Sequence, residues 1–140
     1  MKKTIILTAG DINNGLSFQR GHLFMRLLKD RYNFICVDFE KLTHTELLYA
    51  DAIVFFHPYH SSQAQLIHRA KVQYNLKVIV DIDDLITNLP SDHPEYNTFK
   101  GNAVYDIVKL CDQLVVSTDY LRTHFGHINK NVVVIENQID

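Results

Sequence analysis

Val78-Ile79-Val80-Asp81-Ile82-Asp83-Asp84-Leu85-Ile86-Thr87-Asn88-Leu89-Pro90 is a β-branched run that ends abruptly in three carboxylates. A continuous apolar run of this kind marks a parallel strand, buried because helices cover both of its faces. In open α/β sheets ligands sit beyond the carboxyl ends of such strands. Asp81, Asp83 and Asp84 repel one another at this spacing, so they call for a cation, a proton or a polar ligand. The loop beyond them is closed by Pro90, His93 and Pro94. A site is expected where this strand stops.

Working outward, five more short runs rich in Val, Ile or Phe recur along the chain: residues 4–9, 34–39, 52–56, 113–117 and 131–135. Short length and β-branching favour strands over helices for all of them. Between them, Leu23, Phe24, Leu27 and Leu28 mark one helical face, and Leu66, Ile67, Ala70 and Tyr74 a second. Val104, Ile107, Val108 and Cys111 fall at helical spacing and mark a third. A fourth helix is expected from a Ser117 or Thr118 cap to Gly126, and residues 40–49 leave room for a short one. Alternation of this kind builds βαβ units and a parallel sheet with helices on both faces. The expected fold is a single α/β domain over residues 1–140, three-layer αβα and Rossmann-like, with strand order 3-2-1-4-5-6. The sixth run continues to Asp140 with no helical pattern after it, so a second domain or a partner chain is expected to cover that side.

With 140 residues, 46% of them hydrophobic and 21% charged, the chain has the composition of a soluble globular domain. A net charge of -2 with interspersed signs gives no electrostatic case for nucleic acid or an anionic membrane. The apolar stretch after Met1-Lys2-Lys3 is too short for a signal peptide and meets Asp11, Asn13 and Asn14 at once. No segment approaches transmembrane length. Cys36 and Cys111, in apolar surroundings, are expected as reduced core thiols, which suits a cytoplasmic protein.

In the expected strand order the topology reverses between the first and fourth strands. Gly10, Asp11, Asn14 and Arg20, from the loop after the first strand, should then face Asp83 and Asp84. His57, capping the third strand, would project from the same rim, where an imidazole can act as a base near neutral pH. Arg20-Gly21-His22 opens the first helix, where backbone N–H groups and a basic side chain can hold an anion. Tyr96 and Phe99 either flank a sugar ring or pin the acidic loop.

Several motifs are excluded. Gly10, Gly15 and Gly21 do not have the spacing of a dinucleotide turn and read as loop formers. No phosphate-cradling G-x-x-x-x-G-K-[ST] occurs. A receiver domain would need acids and a lysine where the chain has Gly10-Asp11, His57 and Ser117. Asp81-x-Asp83 departs from the dehalogenase nucleophile motif because Leu85 stands at its threonine position. The pairs His57/His60 and His124/His127 lack the further ligands that zinc requires.

Three segments carry a resemblance: VIVDIDDLITNLPSDHPEY (78–96), CDQLVVSTDYLRTHF (111–125) and NVVVIENQID (131–140). In order and spacing they resemble the amino-terminal domain of glycosyltransferases built from two Rossmann-like domains, the GT-B type. There an acidic strand end is followed by L-P and H-P, then by a D-x-(apolar)-S-T strand, then by V-x-V-I-P-N-G-I-D leading into the second domain. Glu136 and Gln138 stand here in place of that proline and glycine, leaving the exit turn less sharply specified. The resemblance implies an acceptor-binding half, with the nucleotide-sugar donor bound by a carboxyl-terminal domain that these residues do not include. It implies transfer to a sugar or other hydroxyl acceptor in the cleft between the halves, with no metal or other cofactor and no activity of this half alone. Asp83 and Asp84 would hold acceptor hydroxyls, His57 or Asp11 would be the base, Arg20 would meet donor phosphates or an acidic acceptor, and Asp81 would be structural. A rival of another class is a non-catalytic Rossmann-like module binding a sugar, a nucleotide or a protein.

Overall fold

The strand Ala52–Phe56 (β3) is apolar at every position, so its stable place is inside a sheet rather than at an edge. The computed structural model, which describes residues 1–137 and the side chains of all of these except 15–18, puts it there. Lys3–Ala9 (β1) flanks β3 on one side and Lys77–Ile82 (β4) on the other, all parallel. Tyr32–Asp38 (β2) pairs only with β1 and ends the sheet on that side. Gln113–Val116 (β5) follows β4, and Val132–Val134 (β6) forms the far edge. The order is therefore 2-1-3-4-5-6, which corrects the expected 3-2-1-4-5-6. The cause lies in burial. β2 carries Asn33 and Asp38, is nowhere fully buried, and suits an edge, whereas Ile53, Val54, Phe55 and Phe56 of β3 are all buried.

This order also fixes the layers. Parallel crossovers are right-handed, so connections running in opposite directions along a sheet place their helices on opposite faces. The step from β1 to β2 through Gly15–Leu28 (α1) runs one way, and the later steps run the other. Leu7, Ala9, Val54 and Phe56 accordingly pack with Phe24 and Met25 of α1. On the other face Ile6, Ile53, Phe55, Val80, Leu114 and Val116 form the main core. It is covered by His44–Tyr49 (α2), Ser61–Val72 (α3), Val104–Leu110 (α5) and Asp119–Phe125 (α6), with Tyr96–Phe99 (α4) a single turn in the long β4–α5 loop. Fully burying a side chain such as Phe55 or Ile53 stabilises the fold by about 1.5–3 kcal/mol.

Helix boundaries follow local chemistry. Thr43 and Glu46 form a reciprocal capping box at the start of α2. Thr118 Oγ1 accepts from Leu121 N at 3.2 Å and starts α6 at the expected cap. Gly126 is the C-cap of that helix, at a position where a Cβ would stand 2.7 Å from Arg122 O.

Other expectations are corrected here. Gly15 and Gly21 lie in α1, not in a loop, so Arg20 is a helical residue. Leu23 and Leu27 face solvent, while Phe24 and Met25 carry the contact with the sheet. Cys36 is exposed on edge strand β2, with Met25 Sδ 3.3 Å from its Sγ, and only Cys111 is a core thiol. The expected run of the last strand through Gln138 to Asp140 falls outside the described residues. Among the described residues no helix is long and apolar enough to cross a membrane.

Thr8, fully buried on β1, has a hydroxyl with no hydrogen-bond partner among the described residues. Replacing both the donor and the mismatch with a methyl removes a desolvation cost. Thr8→Val is expected to raise the unfolding free energy by about 1 kcal/mol, read as a later midpoint in urea.

Candidate functional site

The chain connections reverse direction along the all-parallel sheet between β1 and β3, and crevices at such points lie outside the carboxyl ends of the strands. The ends of β1, β3 and β4 supply an acidic cleft of about 220 Å³ lined by Asn14, Arg20, Phe56, His57, Asp81, Asp83 and Asp84. The reversal at β1 and β3 replaces the expected one between the first and fourth strands, yet the same β4 end still reaches the cleft. Its neighbour across the rim is His57.

Asp81 lies opposite Phe56 and Val115 in the sheet register and belongs to the face that α1 covers. Arg20 of α1 meets it through two nitrogens: Nε is 2.8 Å from Oδ1 and Nη2 donates to Oδ2 at 2.8 Å. Both side chains are nearly out of water, at 10% and 3% exposure. Burial pushes the Asp81 carboxyl above its ordinary value, and the Arg20 guanidinium opposes that rise. The remaining reach of Arg20 goes to the segment beyond β6, where Nη1 donates to Asn137 Oδ1 and lies 3.4 Å from Ile135 O. Arg20 is thus a clamp joining helix, strand and exit segment, which leaves it little capacity for the anion proposed from sequence.

Asp83 is buried, and Ser117 Oγ donates to its carbonyl at 2.8 Å, tying the start of the acidic loop to the end of β5. Its carboxylate Oδ1 stands 2.9 Å from His57 Nδ1. That contact is within ion-pair distance but off the line of a hydrogen bond, so Nδ1 has no aligned hydrogen-bond partner among the described residues. His57 has φ +49, a left-handed backbone that a Cβ disfavours, and it precedes Pro58, which favours extended geometry at the residue before it. Strain of this kind costs about 1–3 kcal/mol. It is held by the His57 N–H donating to Asp81 O at 2.7 Å. Nδ1 lies on the Asp83 side of the ring, so Nε2 is the nitrogen left to meet a ligand.

Of the residues singled out from sequence, His57, Asp83, Asp84, Arg20 and Asn14 come together around the cleft. Asp84 is exposed at its mouth. Gly10 and Asp11 do not line it: both are exposed, and Asp11 Oδ1 accepts from Asn13 N at 2.9 Å within its own turn. Phe56 was missed. As the last apolar residue of β3 its only sequence signal was position, next to His57. No group of three or more His, Cys, Asp or Glu among the described residues is arranged to hold a metal ion.

Fold and cleft together define a Rossmann-like α/β domain with an acid–imidazole site at its topological switch point. Compared with known protein families and with curated proteins, the chain matches none.

Proposed function

We propose that this domain is the acceptor-binding half of a two-domain glycosyltransferase, moving a sugar from a nucleotide-sugar donor to an acceptor hydroxyl. The observation that carries the proposal is the His57–Asp83 contact at 2.9 Å inside the switch-point cleft. A hydroxyl attacking a sugar carbon must lose its proton, and an imidazole near neutral pH is suited to take it. Asp83 Oδ1 stands beside that ring, 2.9 Å from Nδ1. Asp84 accepts hydrogen bonds from neighbouring acceptor hydroxyls at the mouth. Asp81 is neutralised by Arg20 and shapes the floor. The leaving nucleotide phosphate needs positive groups that this cleft does not offer, since Arg20 is engaged, so donor binding is assigned to the other half.

The resemblance of residues 78–96, 111–125 and 131–140 to that family supports the same assignment. Asp84 gives the cleanest test, because it is exposed and its side chain makes no hydrogen bond or ion pair among the described residues. Asp84→Asn is expected to weaken binding of the glycan acceptor about tenfold, with an unchanged Tm. A fallen Tm would make Asp84 a loop-fixing residue, and unaltered acceptor affinity would remove it from the site.

A further inference from the structure

Beyond Asp84 the same loop encloses a second cavity of about 360 Å³, lined among others by Thr87, Asn88, Tyr96, Phe99, Lys100 and Tyr105. The acidic cleft alone is smaller than a typical ligand site, whereas this cavity lies within the usual range of roughly 300–1,000 Å³. Two rings of the loop have different employment. Phe99 stacks edge-on against Tyr59 with centroids 4.8 Å apart, which fixes the loop to the chain after β3. Tyr96 has no such ring partner among the described residues, and Lys100 Nζ stands 5.9 Å from its centroid.

The polar wall is held in place by its own bonds. Asn88, in the left-handed region at φ +57, donates through Nδ2 to Tyr105 Oη at 3.1 Å. Tyr105 Oη is in turn 3.1 Å from His124 Nε2, which Thr87 Oγ1 also approaches at 3.3 Å. Asn88 Oδ1 keeps no protein partner among the described residues. A purely apolar ligand would strip water from these groups without replacing it. A phosphate-rich ligand would find one lysine and no arginine in the lining. A pyranose ring fits both walls: its C–H face lies on an aromatic ring, and its hydroxyls meet a fixed amide and hydroxyl.

We infer that this cavity seats a pyranose ring of the acceptor glycan, next to the ring whose hydroxyl reacts. The inference rests on the acceptor reading of the acidic cleft. Asp84 at the mouth of the cleft and Ile86 in the cavity lining are two positions apart, at most about 7 Å along the backbone, so the two linings meet on one loop, and the proposal has one saccharide reach from one to the other.

The test is an amide-resolved NMR titration of the whole chain. The probes are methyl pyranosides of gluco, galacto, manno and N-acetylgluco configuration and their β-linked disaccharides, with inorganic phosphate and adenosine monophosphate as controls. At least one pyranoside is expected to shift the amides of Asn88, Gly101 and Tyr105. Tyr96→Ala should weaken that binding about tenfold, while Tyr96→Phe, which keeps the ring, retains it. Silence of these amides with every pyranoside, indifference to Tyr96→Ala in a folded variant, or stronger shifts with either control would overturn the inference. Disaccharide shifts at Asp83 and Asp84 with a silent cavity would overturn it while leaving the acceptor reading intact. Shifts confined to the cavity would support the ring site and count against that reading.

Discussion

Arg20→Met is expected to destabilise the domain by about 3–5 kcal/mol at neutral pH, the largest effect of any polar substitution described. The guanidinium is what compensates a carboxylate that sits almost wholly out of water, and methionine fills the space without supplying charge. The stranded Asp81 then carries an unpaired charge in the interior. The pH dependence has a definite sign. Burial already raises the Asp81 carboxyl above its ordinary value, so the folded state takes up a proton more readily than the unfolded chain. Stability contributed by this group therefore falls as pH rises through the interval between the ordinary and the raised value. Removing Arg20 raises the folded value further and widens that interval. The deficit of Arg20→Met should shrink as the solution is made acidic enough to protonate Asp81. Adding Asp81→Asn to Arg20→Met should restore most of the loss, because the buried charge goes with it. Urea unfolding of the single and double variants at neutral and acidic pH checks both statements. A deficit independent of pH, or a double variant no more stable than the single, would remove the ion pair from its central place in the fold.

If the proposed function holds, His57→Asn should lower the rate of sugar transfer by about 10²–10⁴-fold when this domain is joined to a donor-binding domain, with KM for the acceptor little changed. Asparagine is chosen because it tolerates the left-handed backbone that His57 adopts, so the turn before Pro58 is preserved and the side-chain amide still meets Asp83. What disappears is the ring nitrogen to which the proposal assigns the proton transfer. A loss confined to KM would make His57 a binding group instead of the base. Undiminished turnover would move the base elsewhere.

The strand ending in Asp81, Asp83 and Asp84 was legible because an uninterrupted β-branched run has one stable place, the covered interior of a parallel sheet. The acids at its end followed from position alone. Strand order was not legible from alternation, since βαβ rhythm fixes handedness and not which neighbour a strand pairs with. The decisive signal was present in the uniformly apolar Ala52–Phe56 against the mixed Tyr32–Asp38, and it concerns burial at the edges rather than periodicity. The Arg20–Asp81 pair spans 61 positions, so nothing local announces it. An arginine opening a helix looks like an anion holder until the sheet order brings a buried carboxylate beneath it. Asp11 and His57 were equal candidates for the base in sequence, and the strained turn after β3 separates them by facing one to Asp83 while the other closes its own turn. Tyr96 and Phe99 look alike in the sequence, and the ring contact of Phe99 with Tyr59 is what distinguishes them.

The most direct measurement on the central claim is the response of the cleft itself to ligand, followed at the backbone amides of Asn14, His57, Asp83 and Asp84. Glycan acceptors should move these signals and lose that effect in Asp84→Asn, whereas nucleotide sugars should leave them in place and undergo no turnover on these residues alone. A nucleotide sugar that binds this cleft at micromolar concentration, or is consumed by the 140-residue chain without a second domain, would contradict the assignment of an acceptor half.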